Sequence, residues 1–138
     1  MIKYNYLTDF SLSNENAISK WISDTITSED YKEDTISYVF CSDNYLLDIN
    51  VKYLNHNTLT DIITFDYNVG KIISSDIFVS IDRVLENSKI FDVSFNDELH
   101  RVIIHGILHL CGYKDKTKED KAIMRMKEDY YLSLRVDF

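Results

Sequence analysis

Two histidines and an aspartate lie in the segment HGILHLCGYKD at positions 105–115. His105 and His109 are four residues apart, so on a helix their imidazoles project from the same face. Most other residues from 102 to 111 are apolar, which predicts a buried helix. A buried imidazole without a hydrogen-bond partner costs about 1–3 kcal/mol. One divalent ion bound by neutral ring nitrogens would satisfy both side chains.

Asp115 follows this histidine pair after a turn at Gly112. Glycine ends the predicted helix because it adopts a left-handed conformation at small cost, and beyond it the Asp115 carboxylate can return as a third ligand. Two histidines and one carboxylate leave a coordination position for water, which is typical of catalytic zinc sites. Bound zinc lowers the pKa of that water to about 7. The sequence thus predicts a Zn²⁺ site at His105, His109 and Asp115, with Mn²⁺ as an alternative ion.

The spacing also permits other interpretations. Hydrogen bonds to backbone carbonyls would satisfy an i,i+4 histidine pair without a metal ion, and the pair alone leaves this alternative open. A zinc metalloprotease is disfavoured, because such enzymes carry a glutamate directly after the first histidine, where this chain has Gly106. Cys111 would lie roughly opposite His109 on the helix, so we interpret it as a packing residue. No residue is assigned as the catalytic acid, base or nucleophile.

The hydrophobic pattern predicts strands and helices in an irregular order around this segment. Strands are predicted over 1–7, 35–42, 61–67 and 71–80, and helices over 13–28, 44–54, 81–89, 98–111 and from 117 onward. This order predicts an α/β fold of the α+β type, with a single small mixed β-sheet covered by helices. The metal site would lie at the C-terminal end of the buried helix. A length of 138 residues indicates one domain over 1–138.

Local signals predict the helix ends and the buried faces. Capping boxes are expected at Ser94 with Asp97 and at Thr117 with an acid three residues on. His100, near the start of its helix, is expected to be exposed. We interpret the aspartates of the third and fourth strands as caps or turn formers, and the tryptophan and tyrosines mainly as core and rim residues. The last helix is expected to bury an apolar stripe: Ile123, Met126, Tyr130 and Leu134.

The segment 105–115 closely resembles the H-G-x-L-H-L-x-G-Y-D-H signature of the YbeY family, bacterial endoribonucleases linked to ribosomal RNA maturation. The resemblance continues elsewhere. TDIITF at 60–65 is similar to the family's T-D-V-L-S-F strand, preceded here by LN at 54–55, and SDIFVS at 75–80 is similar to its G-D-I-x-I-S strand. Met124 and Glu128 fit the M-x-x-x-E of its last helix. These matches occur in the family's order over 54–128, more than half of the chain.

The resemblance implies a metal-dependent endoribonuclease that cleaves single-stranded ribosomal RNA in ribosome maturation and quality control. It also implies association with the small ribosomal subunit or its assembly factors. A second hypothesis is a non-catalytic ribosome-assembly factor whose metal site is structural. An open coordination position would favour the enzyme, and a fourth protein ligand would favour the assembly factor. Hydrolysis of another substrate is a third, weaker alternative.

The chain departs from the family pattern at two places. The family's third metal ligand is a histidine, whereas this chain has Asp115, preceded by Lys114 in the family's aspartate position. An anionic ligand reduces the net charge at the metal and makes a bound water less acidic. The family also carries an arginine, thought to contact RNA phosphate, shortly before its T-D-V strand. The corresponding segment here, LNHNTLTDI, contains no arginine.

Composition limits the class of protein and the kind of partner. The net charge is −8, which by itself disfavours nucleic-acid binding. However, residues 114–127 contain six basic residues against three acidic ones, so a basic segment follows the histidine motif; a solvated helix face is the other interpretation of it. Two cysteines without a spacing partner favour a reducing, cytoplasmic location. The sequence shows neither a signal peptide nor an apolar run long enough to span a membrane.

Overall fold

The computed structural model describes residues 1–136 and 138, and every predicted strand and helix occurs in it with shifted ends. Along the chain the elements are β1 Ile2–Tyr6, α1 Glu15–Ser28, β2 Lys32–Cys41, α2 Asp43–Leu54, β3 Ile62–Asp66, β4 Ile72–Ser80, α3 Ile81–Ile90, α4 Phe95–Leu110 and α5 Lys118–Ser133. The described helices include none with the length and apolarity needed to cross a bilayer.

The four strands form one mixed sheet in the order β1-β2-β4-β3. Strands β1, β2 and β4 are parallel, and β3 runs antiparallel to β4. Alternate residues of a strand point to opposite faces of the sheet. Ile62 of β3 faces α4, whereas its neighbour Ile63 packs with Leu46 of α2. Helices therefore cover both faces, which confirms the predicted α+β class with a single small mixed sheet.

Helix α4 is buried against the sheet, as its apolar sequence predicts. Ile103, Ile104 and Ile107 have no exposed surface. Gly106 allows the close approach of helix and sheet, because a Cβ there would lie only 3.0 Å from Ile62 Cδ1. Across the same interface the Tyr38 hydroxyl of β2 donates to the Ile103 carbonyl at 2.8 Å. These contacts fix the position of the helix that carries both histidines.

The ends of the last two helices follow the predicted capping signals in part. Ser94 accepts the Asp97 backbone N–H at 3.0 Å, but the Asp97 carboxylate accepts from Arg135 at 3.0 Å rather than closing a capping box. Helix α4 begins at Phe95, directly after its N-cap Ser94 and three residues before the predicted start at 98. At α5 the capping box is complete, with Thr117 as the N-cap.

The buried face of α5 differs from the prediction. The side chains expected in the core are exposed by 45–62%: Ile123, Met126, Tyr130 and Leu134. The helix instead buries the adjacent face, with Met124, Glu128 and Tyr131. Polar tertiary partners explain this rotation, because Glu128 accepts from Arg101 and the Tyr131 carbonyl accepts the Trp21 indole N–H. Apolar periodicity cannot predict a buried face that includes a charge.

His100 is buried, at 6% exposed, so the prediction that it is exposed was wrong. Its ring contacts Trp21 of α1 and Phe138 edge-on, with ring centroids 6.1 and 4.9 Å away. Arg135 donates to His100 Nδ1 at 2.8 Å. The residues after α5 thus cover the first turns of α4, a contact between segments 35 residues apart that no local pattern indicates.

Candidate metal centre and its cleft

The two motif histidines lie on the last turns of α4 but differ in exposure. The His105 side chain is 24% exposed, whereas His109 is an exposed residue at the end of the helix. The helical spacing holds, but only His105 is partly enclosed by protein. The premise that both imidazoles are buried is therefore wrong for His109.

The loop after α4 brings Asp115 to His105. Gly112 has φ +99°, the left-handed conformation predicted for it. The Tyr113 hydroxyl then donates to Glu29 at 2.7 Å and ties the loop to the end of α1. Asp115 Oδ2 lies 3.3 Å from His105 Nε2. Two of the three predicted metal ligands are therefore adjacent in the fold.

The third predicted ligand, His109, does not join them in this conformation. Within residues 1–136 and 138, no three histidine, cysteine, aspartate or glutamate side chains lie close enough together to hold one ion. A coordination set of His105, His109 and Asp115 consequently stays a prediction, and it requires the exposed His109 side chain to turn toward the other two.

Glu128 of α5 is the main site residue to which sequence reasoning gave no role. Its carboxylate lies 2.7 Å from His105 Nδ1 and accepts from Arg101 at 3.0 Å. The same guanidinium donates to Asp129 at 2.7 Å. A carboxylate on the second ring nitrogen is the usual device that orients a metal-binding histidine and fixes its tautomer. The signal was available, because Glu128 belongs to the matched M-x-x-x-E motif.

The electrostatics follow from this packing. Burial alone would lower the pKa of His105, but the hydrogen bond and charge of Glu128, with the charge of Asp115, raise it above its ordinary value. For Glu128 burial acts to raise the pKa, and the contacts with His105 and Arg101 lower it overall. Both carboxylates thus stabilise positive charge at the His105 ring, a charge that a divalent cation can supply in place of a proton.

His105 and Asp115 border an open cleft of about 410 Å³. Lys121 and Arg125 of α5 line it together with His105, Asp115, Met124 and Glu128. A second hollow of about 270 Å³ shares several of these side chains and adds Asp61 and Glu98, among others. Burial raises the pKa of Asp61, and burial together with the charge of Asp61 raises that of Glu98. Asp61, which we interpreted as a cap or turn former, therefore lies in the site region.

The donor chemistry of this region fits a divalent ion. An imidazole nitrogen and a carboxylate oxygen face each other at 3.3 Å beside open space, and a buried carboxylate orients the imidazole. Both are ordinary zinc ligands. Cys111 is buried and, as predicted, packs in the core.

Comparison with known proteins places these residues in a family. The family model described as "Endoribonuclease YbeY" matches residues 4–134. The endoribonuclease YbeY of Flavobacterium johnsoniae is 58% identical over 134 residues, which cover 97% of this chain and 96% of that protein. The Flavobacterium psychrophilum protein is 54% identical over the same shares of both chains. The solution structure of TM1509 from Thermotoga maritima is 26% identical, with a TM-score of 0.70 over 96% of this chain and 87% of that one.

Proposed function

Because the chain belongs to the endoribonuclease YbeY family, we propose that it is an endoribonuclease of ribosomal RNA processing. Its substrate would be single-stranded ribosomal RNA, and its role ribosome maturation and quality control. The similarity over nearly the whole of both chains supports the reaction class. In the chain itself, the observation that carries the proposal is the His105–Asp115 pair beside an open cleft.

We further propose that the reaction depends on one divalent ion, zinc or alternatively manganese, held by His105, His109 and Asp115. The ion would supply an acidified water or polarise a phosphoryl oxygen. The Glu128 carboxylate lies 2.7 Å from His105 Nδ1. It would accept a hydrogen bond from Nδ1–H and so leave Nε2 as the ring nitrogen that binds the ion. Arg101, which donates to Glu128 and Asp129, would in turn fix the Glu128 carboxylate.

The alternative of a non-catalytic assembly factor would require a closed, structural metal site. Structural zinc sites have four protein ligands, whereas catalytic ones keep a position open. The cleft beside His105 and Asp115 is open, which supports the enzyme. Association with the small ribosomal subunit or its assembly factors, and action in the cytoplasm, belong to the same proposal. Both cysteines are free, which suits a reducing compartment.

The decisive experiment compares wild type with His109→Ala, using protein purified free of contaminating nucleases. We expect wild type to bind about one zinc per chain and to cleave a single-stranded RNA. The variant should bind zinc more weakly, since one of three ligands is lost, and should lose cleavage. His109 is exposed, so the variant should unfold at nearly the same temperature.

The matched control is His56→Ala, which removes an exposed histidine outside the cleft. It should keep zinc binding and cleavage. Equal cleavage by wild type and His109→Ala would contradict the proposed site. A wild type that binds zinc tightly without cleaving RNA would favour the assembly factor.

A further inference from the structure

We propose that Lys121 and Arg125 of α5 form a phosphate-binding pair that holds the RNA backbone at the mouth of the cleft. The inference rests on the proposed function and deepens it, because it names the side chains that bind the substrate. It concerns residues outside the proposed metal ligands. The two cations act through charge and hydrogen bonding and take no part in bond cleavage.

The position of the two side chains is the first observation. Both line the same cleft as His105 and Asp115. They are four residues apart on a helix, so they share a face with their Cβ atoms about 6 Å apart. The Arg125 side chain is 60% exposed, and Lys121 is also exposed. A strand passing the metal ligands would therefore meet both cations from the solvent side.

Their availability is the second observation. Arg101, the other cation at the cleft region, already donates to Glu128 at 3.0 Å and to Asp129 at 2.7 Å. Arg125 reaches only the Glu128 oxygen that Arg101 occupies, and at 3.7 Å. Within residues 1–136 and 138, Lys121 has no ion pair. Lys121 and Arg125 can therefore both bind an external anion. A guanidinium also matches the two oxygens of a phosphate with paired donors.

The charge of the surroundings explains why such a pair is needed. The cleft region contains four carboxylates, on Asp61, Glu98, Asp115 and Glu128, and the whole chain carries a net charge of −8. A polyanion approaching this surface is repelled unless local cations replace its counterions. The sequence concentrates six basic residues at 114–127, and within that segment these two line the cleft.

Salt-dependent binding of a labelled single-stranded oligouridylate tests the inference. Fluorescence anisotropy on the full chain, with a chelator present, measures binding without turnover. The variants are Lys121→Gln, Arg125→Gln and the double variant. The matched control is Lys52→Gln, which removes the same charge from α2 on the opposite face of the sheet. All three substituted residues are exposed, and thermal melting confirms that each variant is folded.

We expect each single variant to reduce the slope of log K against log salt by about 0.7, and the double variant by about 1.4. At 0.1 M salt each single variant should bind about fivefold more weakly. Lys52→Gln should match wild type. Equal slopes for all variants, or an equal loss in Lys52→Gln, would overturn the inference while leaving the proposed function intact. Absence of RNA binding by wild type, with or without added zinc, would instead reject the proposed function.

Discussion

At the residue scale, the buried carboxylate of Glu128 organises the candidate site. It is 5% exposed and joins His105 and Arg101, which come from two different turns of α4. Burial acts to raise its pKa, yet the two partners lower it, so the ionised form is favoured despite the low exposure. The buried face of α5 therefore includes a charged side chain, whereas the apolar stripe of its sequence lies on an adjacent, exposed face.

The variant Glu128→Gln tests this role, because it keeps the shape of the side chain and removes the charge. We expect the free energy of unfolding to fall by about 2 kcal/mol, since hydrogen bonds to charged groups are lost in a buried site. Zinc affinity should fall about tenfold or more, as is usual when the partner of a metal-binding histidine is removed. Urea unfolding and zinc titration measure the two effects.

Asp129→Asn is the matched control for that change. Asp129 accepts from the same Arg101, but its side chain is 59% exposed. The loss of an exposed ion pair costs at most about 1 kcal/mol. Zinc affinity should be unchanged. Similar losses of stability and of zinc affinity in both variants would show that Glu128 acts by binding Arg101 and not by orienting His105.

At the element scale, the loop between α4 and α5 determines where Asp115 lies. Gly112 starts the loop with φ +99°, and Tyr113 donates to Glu29 at the end of α1. Glu29 also accepts from Lys127 at 3.2 Å and from Tyr131, both on α5. One carboxylate therefore connects α1, the loop and α5. The position of Asp115 depends on this connection as much as on the turn itself.

The variant Gly112→Ala should disturb the loop through its backbone. A Cβ at this position meets only the Tyr31 hydroxyl at 3.6 Å, so the cost is conformational rather than steric. We expect the free energy of unfolding to fall by about 2 kcal/mol, because an L-residue is strained at this φ. Zinc binding and RNA cleavage should weaken, since Asp115 would move from His105.

Gly70→Ala is the control, since Gly70 also has a positive φ, +57°, with open space around its Cβ position. It lies in the turn between β3 and β4. We expect a loss of about 1 kcal/mol in unfolding free energy and no change in zinc binding. The prediction fails if both glycine variants bind zinc equally well.

At the scale of the whole molecule, Arg135 and Phe138, which follow α5, pack against α4 and α1. Phe138 packs edge-on against Trp21 and His100, and Arg135 contacts both His100 and Asp97. Burial, together with the charge of Arg135, lowers the pKa of His100 to about 4, although the charge of Asp97 opposes this shift. The folded protein therefore holds this imidazole in its neutral form.

A pH dependence of stability follows from the depressed pKa of His100. The unfolded chain takes up a proton near pH 6.5, whereas the folded chain resists it until about pH 4. Folding stability from this group is therefore complete above pH 6.5 and is lost as the pH falls toward 4. The loss over this range should be about 3 kcal/mol, which is measurable by urea unfolding at several pH values.

His100→Gln should be less stable than wild type at pH 7 and should show a shallower decline between pH 6.5 and 4. His56→Gln makes the same chemical change at an exposed residue, and its pH profile should run parallel to that of wild type. If the profiles of wild type and His100→Gln are parallel instead, burial of a neutral His100 is not the cause of the decline.

The sequence by itself determined the elements and the local chemistry of this protein. Apolar periodicity located each strand and helix, and Thr117 and Gly112 marked helix ends, because hydrophobic period, capping and glycine conformation act within a few residues. The motif at 105–115 selected the family and two side chains, His105 and Asp115, that the fold brings to 3.3 Å. Such features depend on residues close together in the chain.

Tertiary structure alone decided which faces are buried and which charges meet. The rotation of α5, the burial of His100 and the role of Glu128 depend on partners 23 to 110 residues away. A side chain that is polar in sequence is buried only when a distant group completes its hydrogen bonds, and local periodicity contains no information about that group. The exposed position of His109 at the end of α4 likewise follows from packing, since the sequence shows only its helical spacing from His105.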